Sequence, residues 1–188
     1  MALAAKSPAV VTKLTAEHTT ENPSPESAAG SVTSGVTDGV TESTLTEKYL
    51  IFSIKDKLYA IPSMAINEVT VLEKVFPMPL VPAYVHGIIN RYSIPYALID
   101  IGFILYNEIS NAQKVIVLKE EIDKIAFLID DVTDIVDILP ENILKIEHEE
   151  NTFAASINAF FEWKENHVFC IDTGNLINMI KQDFDREL

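Results

Sequence analysis

Residues 87–100 read GIINRYSIPYALID, and they contain the pattern that decides the fold. Two apolar runs, 85–89 and 94–101, flank the polar and bulky stretch at residues 90–93. Short runs of β-branched and aromatic residues that are separated by a few polar residues are typical of strands joined by a turn. The stretch therefore predicts two strands with an exposed turn between them.

The same pattern of short apolar runs continues on both sides of this stretch. About five strand-like runs cover residues 48–105, and after a loop the pattern restarts and gives about five more over residues 112–172. Residues 173–185 differ, because their apolar side chains repeat at helical spacing. Many short strands at regular spacing indicate sandwiches or small barrels. We therefore predict a mainly β fold of two packed five-stranded barrels with a closing C-terminal helix.

The first 47 residues have a different composition. They are rich in Thr, Ser, Ala, Glu, Pro and Gly, and they contain no aromatic residue. A segment of this kind cannot bury enough apolar surface to offset its ordering entropy. We predict a disordered N-terminal tail over residues 1–47.

Charge and cysteine content exclude several classes of function. The chain has 28 acidic and 14 basic residues, a net charge of −14 at pH 7, and no visible basic face for nucleic acid. No apolar run approaches the ~18–20 residues needed to cross a bilayer, so we expect no direct membrane insertion. The single cysteine, Cys170, suits a reducing compartment. We predict a cytoplasmic protein.

One sequence motif could indicate an enzyme. Asp172-Thr173-Gly174 matches the Asp-Thr/Ser-Gly motif of aspartic proteases, in which two aspartates share a proton. Only 14 residues follow Gly174, and no second copy of the motif is present. The alternative is a strand that ends on a helix N-cap at Asp172 or Thr173, and the position in the chain favours it. We expect no catalytic residues.

Metal and cofactor sites are also not expected. The acidic cluster lacks the spacing and the glycine of an EF-hand, and in a strand it would form a solvated face. None of the four histidines has a His or Cys partner at metal-ligand spacing, and there is no glycine-rich phosphate loop. The cluster comprises Asp130, Asp131, Asp134 and Asp137.

The order of the apolar runs carries a resemblance to a known family. The runs concerned are residues 49–52, 59–61, 66–69, 85–90, 98–101, 115–118, 128–135 and 170–172, together with Pro79. Each run is common, but their order and spacing together resemble the CheW-like domain. The resemblance covers nearly all of residues 48–180.

The resemblance implies two intertwined five-stranded, SH3-like barrels and no catalysis. It also implies an adaptor that couples the cytoplasmic tips of methyl-accepting chemoreceptors to a CheA-type histidine kinase within receptor arrays. The partners it implies are the regulatory domain of the kinase, which pairs with one barrel, and a receptor tip in a groove near the junction of the barrels.

The turn at residues 90–93 departs from the family pattern. Where the family has Asn-Leu-Arg-Gly, this chain keeps Asn90 but has Arg91, Tyr92 and Ser93. Tyrosine cannot provide the charged, forked hydrogen bonds of arginine. The departure leaves open an alternative, a diverged CheW-like scaffold that serves a motility or localisation system without the usual receptor contact.

Eight residues match family contact positions or form the turn, and they are our candidates for partner binding. Arg and Tyr are enriched at interface hot spots, so the turn supplies the strongest candidates. For the apolar candidates the alternative is plain core packing. The candidates are Ile66, Glu68, Gly87, Asn90, Arg91, Tyr92, Ile116 and Val117.

Overall fold

The computed structural model describes residues 45–119, 121–147 and 153–187. The predicted tail, residues 1–47, lies outside the described residues except for its last three. The elements within the described residues are β1 (Glu47–Ile54), β2 (Lys57–Pro62), β3 (Ile66–Val71), β4 (Val85–Arg91), β5 (Ile94–Asp100), α1 (Ile101–Tyr106), β6 (Lys114–Leu118), β7 (Ile125–Ile129), β8 (Asp131–Ile138), β9 (Leu144–Lys145), β10 (Ile157–Trp163), β11 (Asn166–Ile171) and α2 (Thr173–Glu187).

The strands form two sheets. Sheet 1 has the order β8-β1-β2-β11-β10-β9, and sheet 2 has the order β3-β6-β7-β5-β4. Each sheet contains one parallel pair, β2 with β11 in sheet 1 and β5 with β7 in sheet 2, and its other pairs are antiparallel. The prediction of a mainly β fold with two small barrels and a C-terminal helix is confirmed, with β9 as a short sixth strand.

Three apolar cores fill the structure, because strand residues alternate between the two faces of a sheet. Sheet 1 encloses a core that includes Ile51 and Phe161, and sheet 2 encloses one that includes Val115 and Leu128. The third core lies between the sheets and takes residues from both, together with one face of α2. Both faces of β6 and β7 are therefore buried, which explains their continuous apolar sequences.

The two halves of the chain have the same architecture and exchange strands. On β1, Leu50 pairs with Ile135 of β8, and on β6, Ile116 pairs with Val69 of β3. Leu50 thus corresponds to Ile116 and Val69 to Ile135, so counterparts in β1–β3 and β6–β8 lie 66 positions apart. The predicted barrel boundaries, 48–105 and 112–172, consequently correspond to the two halves of the chain but not to the two sheets. Sheet 1 combines the β1–β2 hairpin with four strands of the second half, and sheet 2 combines the β6–β7 hairpin with three strands of the first half, in agreement with the intertwining that the resemblance implies.

The same repeat relates the last strands of each half. In β4–β5 and β10–β11, counterparts lie 72 positions apart, so that the turn residue Tyr92 corresponds to Lys164. Asp100 and Asp172 are also counterparts, and each accepts a hydrogen bond from a backbone N–H in the first turn of the helix that follows. Helix α1 was not predicted, since its six residues continue an apolar strand pattern.

Candidate partner-binding site

The turn between β4 and β5 has the backbone of a tight two-residue hairpin. Tyr92 has a φ of 52° and Ser93 a φ of 69°, both in the left-handed region. Positive φ at both central residues matches the twist of the flanking strands and is the geometry in which glycine or asparagine is preferred. The chain keeps this geometry with a tyrosine, whose side chain is 77% exposed.

Three predicted residues, Glu68, Arg91 and Tyr92, come together at this turn, and we call them the tip cluster. The Nε of Arg91 donates to Oε1 of Glu68 over 2.6 Å, and the Tyr92 hydroxyl donates to Oε2 of Glu68 over 3.2 Å. The guanidinium carbon of Arg91 lies 5.4 Å from the centre of the Tyr92 ring, within cation–π range. One carboxylate on β3 thus holds the hairpin tip of β4–β5.

The electrostatics of the tip cluster follow from these contacts. Hydrogen bonding to Arg91 lowers the pKa of the Glu68 carboxyl, and the same bond raises the pKa of Arg91. The Glu68 and Arg91 side chains are only 22% and 19% exposed, so each charge mainly interacts with the other and not with solvent. Tyr92 alone extends into solvent, and a partner would meet its ring first.

The remaining polar and small candidates flank the tip cluster. Asn90 is exposed on β4, and Ile66 is half-buried against the core between the sheets. Gly87 is buried at a register shift of β4 with a φ of 140°. A Cβ there would lie 2.5 Å from the backbone oxygen of Phe76, so Gly87 is required by the backbone geometry.

The two candidates on β6 are fully buried. Ile116 and Val117 each have 0% exposure, the first in the core between the sheets and the second inside sheet 2. In this structure both residues pack in the core, which is the alternative stated for the apolar candidates.

Comparison with known proteins identifies the family. A family model described as CheW-like domain matches residues 48–181. The chain belongs to the CheW-like domain family. The crystal structure of the scaffolding protein TtCheW from Thermoanaerobacter tengcongensis superposes with a TM-score of 0.63 at 18% sequence identity, covering 70% of this chain and 92% of that one, and it shares the fold. Among curated protein sequences, none matches the chain significantly.

The family is one of chemotaxis scaffolds and adaptors with a non-catalytic fold. In this CheW-like domain the Oδ1 of Asp172 accepts from the N–H of Asn175 over 2.9 Å, and Oδ2 accepts from the Asn158 amide over 3.2 Å. Asp172 therefore acts as the helix cap that its position in the sequence favours.

Cys170 is buried, and burial raises the pKa of its thiol to about 12, which keeps it protonated at neutral pH.

The acidic cluster forms ion pairs at the surface. Asp131, Asp134 and Asp137 pair with lysines on β6, the β10–β11 turn and β1, respectively. Within the described residues, no group of three His, Cys, Asp or Glu side chains is arranged to hold a metal ion. In the same part of the chain, no helix is long and apolar enough to cross a membrane.

Two residues near the tip cluster were not among the candidates. Glu73 lies 3.6 Å from Arg91 and is the second acid to face that guanidinium. Phe76 exchanges two backbone hydrogen bonds of 2.8 Å with Ile88 and so joins the chain after β3 to β4. The proline-rich stretch after Phe76 predicts a loop, but it gives no signal for this bridge.

The internal repeat places a related cluster on the other sheet. Asp134, the counterpart of Glu68, forms a 3.4 Å ion pair with Lys164, the counterpart of Tyr92. Lys164 in turn lies 4.0 Å from the centre of the Trp163 ring. The two hairpin tips thus share an architecture but present different chemistry, an exposed tyrosine on one and a lysine on the other.

Proposed function

We propose that this CheW-like domain is a non-catalytic adaptor that couples chemoreceptor cytoplasmic tips to the regulatory domain of a CheA-type histidine kinase. The observation that carries the proposal is the family match over residues 48–181, which includes the strands that form the tip cluster. The adaptor works in the cytoplasm and joins membrane-bound receptor arrays through its partners, as part of a two-component signalling system.

The tip cluster is the partner contact that we favour. Tyr92 offers a large and rigid ring at an exposed turn, and such residues commonly provide the anchors of protein interfaces. Glu68 and Arg91 hold the turn in place, so the ring is preorganised before a partner binds. Asn90 and Ile66 extend this surface.

Gly87, Ile116 and Val117 contribute indirectly under this proposal. Gly87 permits the close approach of β4 to Phe76, and the two β6 residues fill the cores beneath the surface. Their substitution would change binding by distorting the barrel.

Co-purification tests the proposal directly. The full chain, carrying an affinity tag, is incubated with a CheA-type kinase and with a receptor signalling fragment, separately and together. We expect both partners to be retained, with interfaces of about 800 Å² per partner or less and affinities in the micromolar range. Retention of neither partner would remove the proposal.

A second candidate function follows from the turn itself. The arginine of the family pattern falls at the position of Tyr92, one residue after Arg91. In this chain Arg91 forms the ion pair with Glu68, and Tyr92 occupies the exposed position of the turn. A scaffold of the same fold that serves a motility or localisation system would bind the kinase or another protein but not a receptor. In the co-purification experiment, loss of receptor retention alone supports this second candidate.

A further inference from the structure

Sheet 2 has an opening between its two edge strands. β3 and β4 are the ends of the sheet order, and no ladder joins them within the described residues. A cavity of about 190 Å³ lies in this opening and reaches Ile89 and Val115, which belong to the core inside sheet 2. Two residues that link the β3 and β4 sides also line it: Arg91 on β4, which contacts Glu68 on β3, and Phe76 after β3, which bridges to Ile88 on β4.

The outer edge of β3 presents backbone groups to this opening. The N–H of Leu72 donates to the carbonyl of Gln113 over 2.7 Å, and this bond fixes which β3 residues face β6. By the alternation of antiparallel pairing, the backbone groups of Val69 and Val71 point away from β6. In the described part of the chain, their only hydrogen bond is a 3.5 Å contact from the Thr70 hydroxyl to the carbonyl of Val71.

One backbone N–H on the equivalent edge of sheet 1 has a side-chain acceptor, and this contrast marks the β3 edge as available. Ile135 on β8 is the counterpart of Val69, and its N–H donates to Oδ1 of Asp134 over 2.8 Å. Glu68, the counterpart of Asp134, turns instead toward Arg91 and Tyr92. An uncapped strand edge is a template for pairing with another chain.

We propose that the outer edge of β3 binds an extended segment of a partner protein by strand addition, with one apolar side chain of that segment entering the cavity. Main-chain hydrogen bonds to Val69 and Val71 supply affinity, and the cavity supplies selectivity. A cavity of roughly 150 Å³ lined by aliphatic groups holds a benzene ring, so one branched or aromatic side chain fits.

Charge favours a basic residue in the same segment. Glu73, Lys74 and Arg91 are the charged residues that line the cavity. The Glu73 side chain is 74% exposed and its contact with Arg91 is long at 3.6 Å, so its carboxylate remains able to pair with an incoming cation. The whole chain carries a net charge of −14, which attracts a positively charged partner. The occupant we infer is therefore an extended segment with alternating apolar residues and at least one Lys or Arg. The cavity borders Asn90 and Arg91 of the proposed adaptor surface, but main-chain pairing along the β3 edge is not among the proposed adaptor contacts, so the inference goes beyond them.

Peptide selection followed by hydrogen exchange tests the proposal. A phage-displayed library of random twelve-residue peptides is selected on the full chain, and the enriched peptides are synthesised. We expect alternating apolar sequences with a basic residue. In the complex, exchange of the Val69 and Val71 amides should slow at least tenfold by NMR, whereas exchange at Ile135 should not change.

A matched pair of proline variants isolates the strand edge. Val71→Pro removes a donor that faces outward, so pairing with β6 is retained. Asp137→Pro makes the same change at the counterpart on β8. Peptide binding should weaken at least tenfold in Val71→Pro and change less than twofold in Asp137→Pro. The proposal is overturned if no peptide prefers the wild-type chain, or if a bound peptide leaves both valine amides unprotected; the latter measurement needs no variant to fold.

Discussion

Arg91 and Glu68 lie 23 positions apart in the chain, and the Arg91 Nε donates to Oε1 of Glu68 over 2.6 Å. This bond ties the end of β4 to the middle of β3, across the side of sheet 2 that has no strand ladder. The bond therefore holds the hairpin tip in place and also helps to close the barrel between its two edge strands.

The ion pair predicts a specific dependence of stability on pH. Hydrogen bonding to Arg91 lowers the pKa of Glu68 in the folded state below its ordinary value of about 4.5. A group whose folded pKa is lowered stabilises the protein above the unfolded pKa, and this contribution is lost as the pH falls through the folded pKa. Glu68→Gln should therefore reduce the free energy of unfolding by about 1 kcal/mol at pH 7, and by progressively less below pH ~4.5.

Urea denaturation of both proteins at a series of pH values measures this difference. Glu73→Gln serves as the control, because Glu73 is 74% exposed and its contact with Arg91 is longer, so its effect should stay near zero throughout. A difference between wild type and Glu68→Gln that is constant down to pH 3 would show that the ion pair contributes nothing.

Tyr92 provides the prediction for partner binding. Tyr92→Ala should weaken the binding of one partner by more than ~1 kcal/mol, about fivefold, because it removes the exposed ring. Tyr92→Phe removes only the hydroxyl that donates to Glu68 and should retain most of the affinity. Isothermal titration of the kinase domain and the receptor fragment measures both variants.

Lys164→Ala is the matched control for the tyrosine variants. It truncates the counterpart residue at the tip of the β10–β11 hairpin. Unchanged affinity of Tyr92→Ala for both partners would exclude the tip cluster as a contact, and an equal loss in Lys164→Ala would indicate that the effect is not specific to that tip. Circular dichroism melting confirms that the variants remain folded.

Local features of the fold could be predicted from the sequence because strand periodicity and turn chemistry act over a few residues. The run at residues 61–72 predicts a short helical turn leading into a strand, and the structure has the 3₁₀ turn Ser63–Ala65 followed by β3. The hairpin around Tyr92 was predicted on the same grounds. Helix α1 was missed because its apolar residues continue the pattern of β5.

The exchange of strands between the two halves could not be predicted from the patterns alone. Both halves carry the same order of apolar runs, so the pattern is equally compatible with pairing within a half and between halves. Register is a long-range property, set when β1 meets β8 and β3 meets β6. The same limit explains why Ile116 and Val117 could not be placed, since burial of both strand faces depends on which sheet covers β6.

The tip cluster was predicted residue by residue but not as a contact. Glu68, Arg91 and Tyr92 were all candidates, yet nothing in their spacing indicates that Arg91 would reach Glu68. That contact depends on how far sheet 2 closes, which the Phe76–Ile88 bridge helps to set. The periodicity of apolar residues along a strand does not predict side-chain contacts that form only when the barrel closes.

Gly87 offers a test of that closure. Gly87→Ala adds a Cβ 2.5 Å from the Phe76 oxygen and 2.8 Å from a Val75 methyl, at a φ of 140°. Because the nearest atom is backbone, the bridge must shift, and we expect a loss of about 3 kcal/mol in the free energy of unfolding. Chemical denaturation measures the loss.

Gly174→Ala is the matched control for Gly87→Ala. Its added Cβ meets only Asp172 Oδ1, at an ordinary 3.4 Å, and it lies within α2. Alanine is favoured over glycine in a helix by about 0.5–1 kcal/mol, so this variant should be neutral or more stable. A Gly87→Ala protein as stable as wild type would show that the backbone does not need glycine there.

The repeat-related aspartates Asp100 and Asp172 predict unequal stability effects from one substitution. Asp100 is 2% exposed and accepts from the N–H of Phe103 over 2.9 Å and from the N–H of Ser110 over 3.0 Å. Asp100→Ala leaves two backbone donors without this acceptor in a buried site, so we expect a loss of about 2–3 kcal/mol. Asp172 caps α2 through a single backbone N–H at a more exposed position, and Asp172→Ala should cost about 1 kcal/mol. Thermal and urea unfolding of the two variants in parallel measures the contrast. Equal losses in the two would show that burial and the bond to Ser110 add nothing to the cap, and a larger loss for Asp172→Ala would reverse the assignment of Asp100 as the dominant anchor.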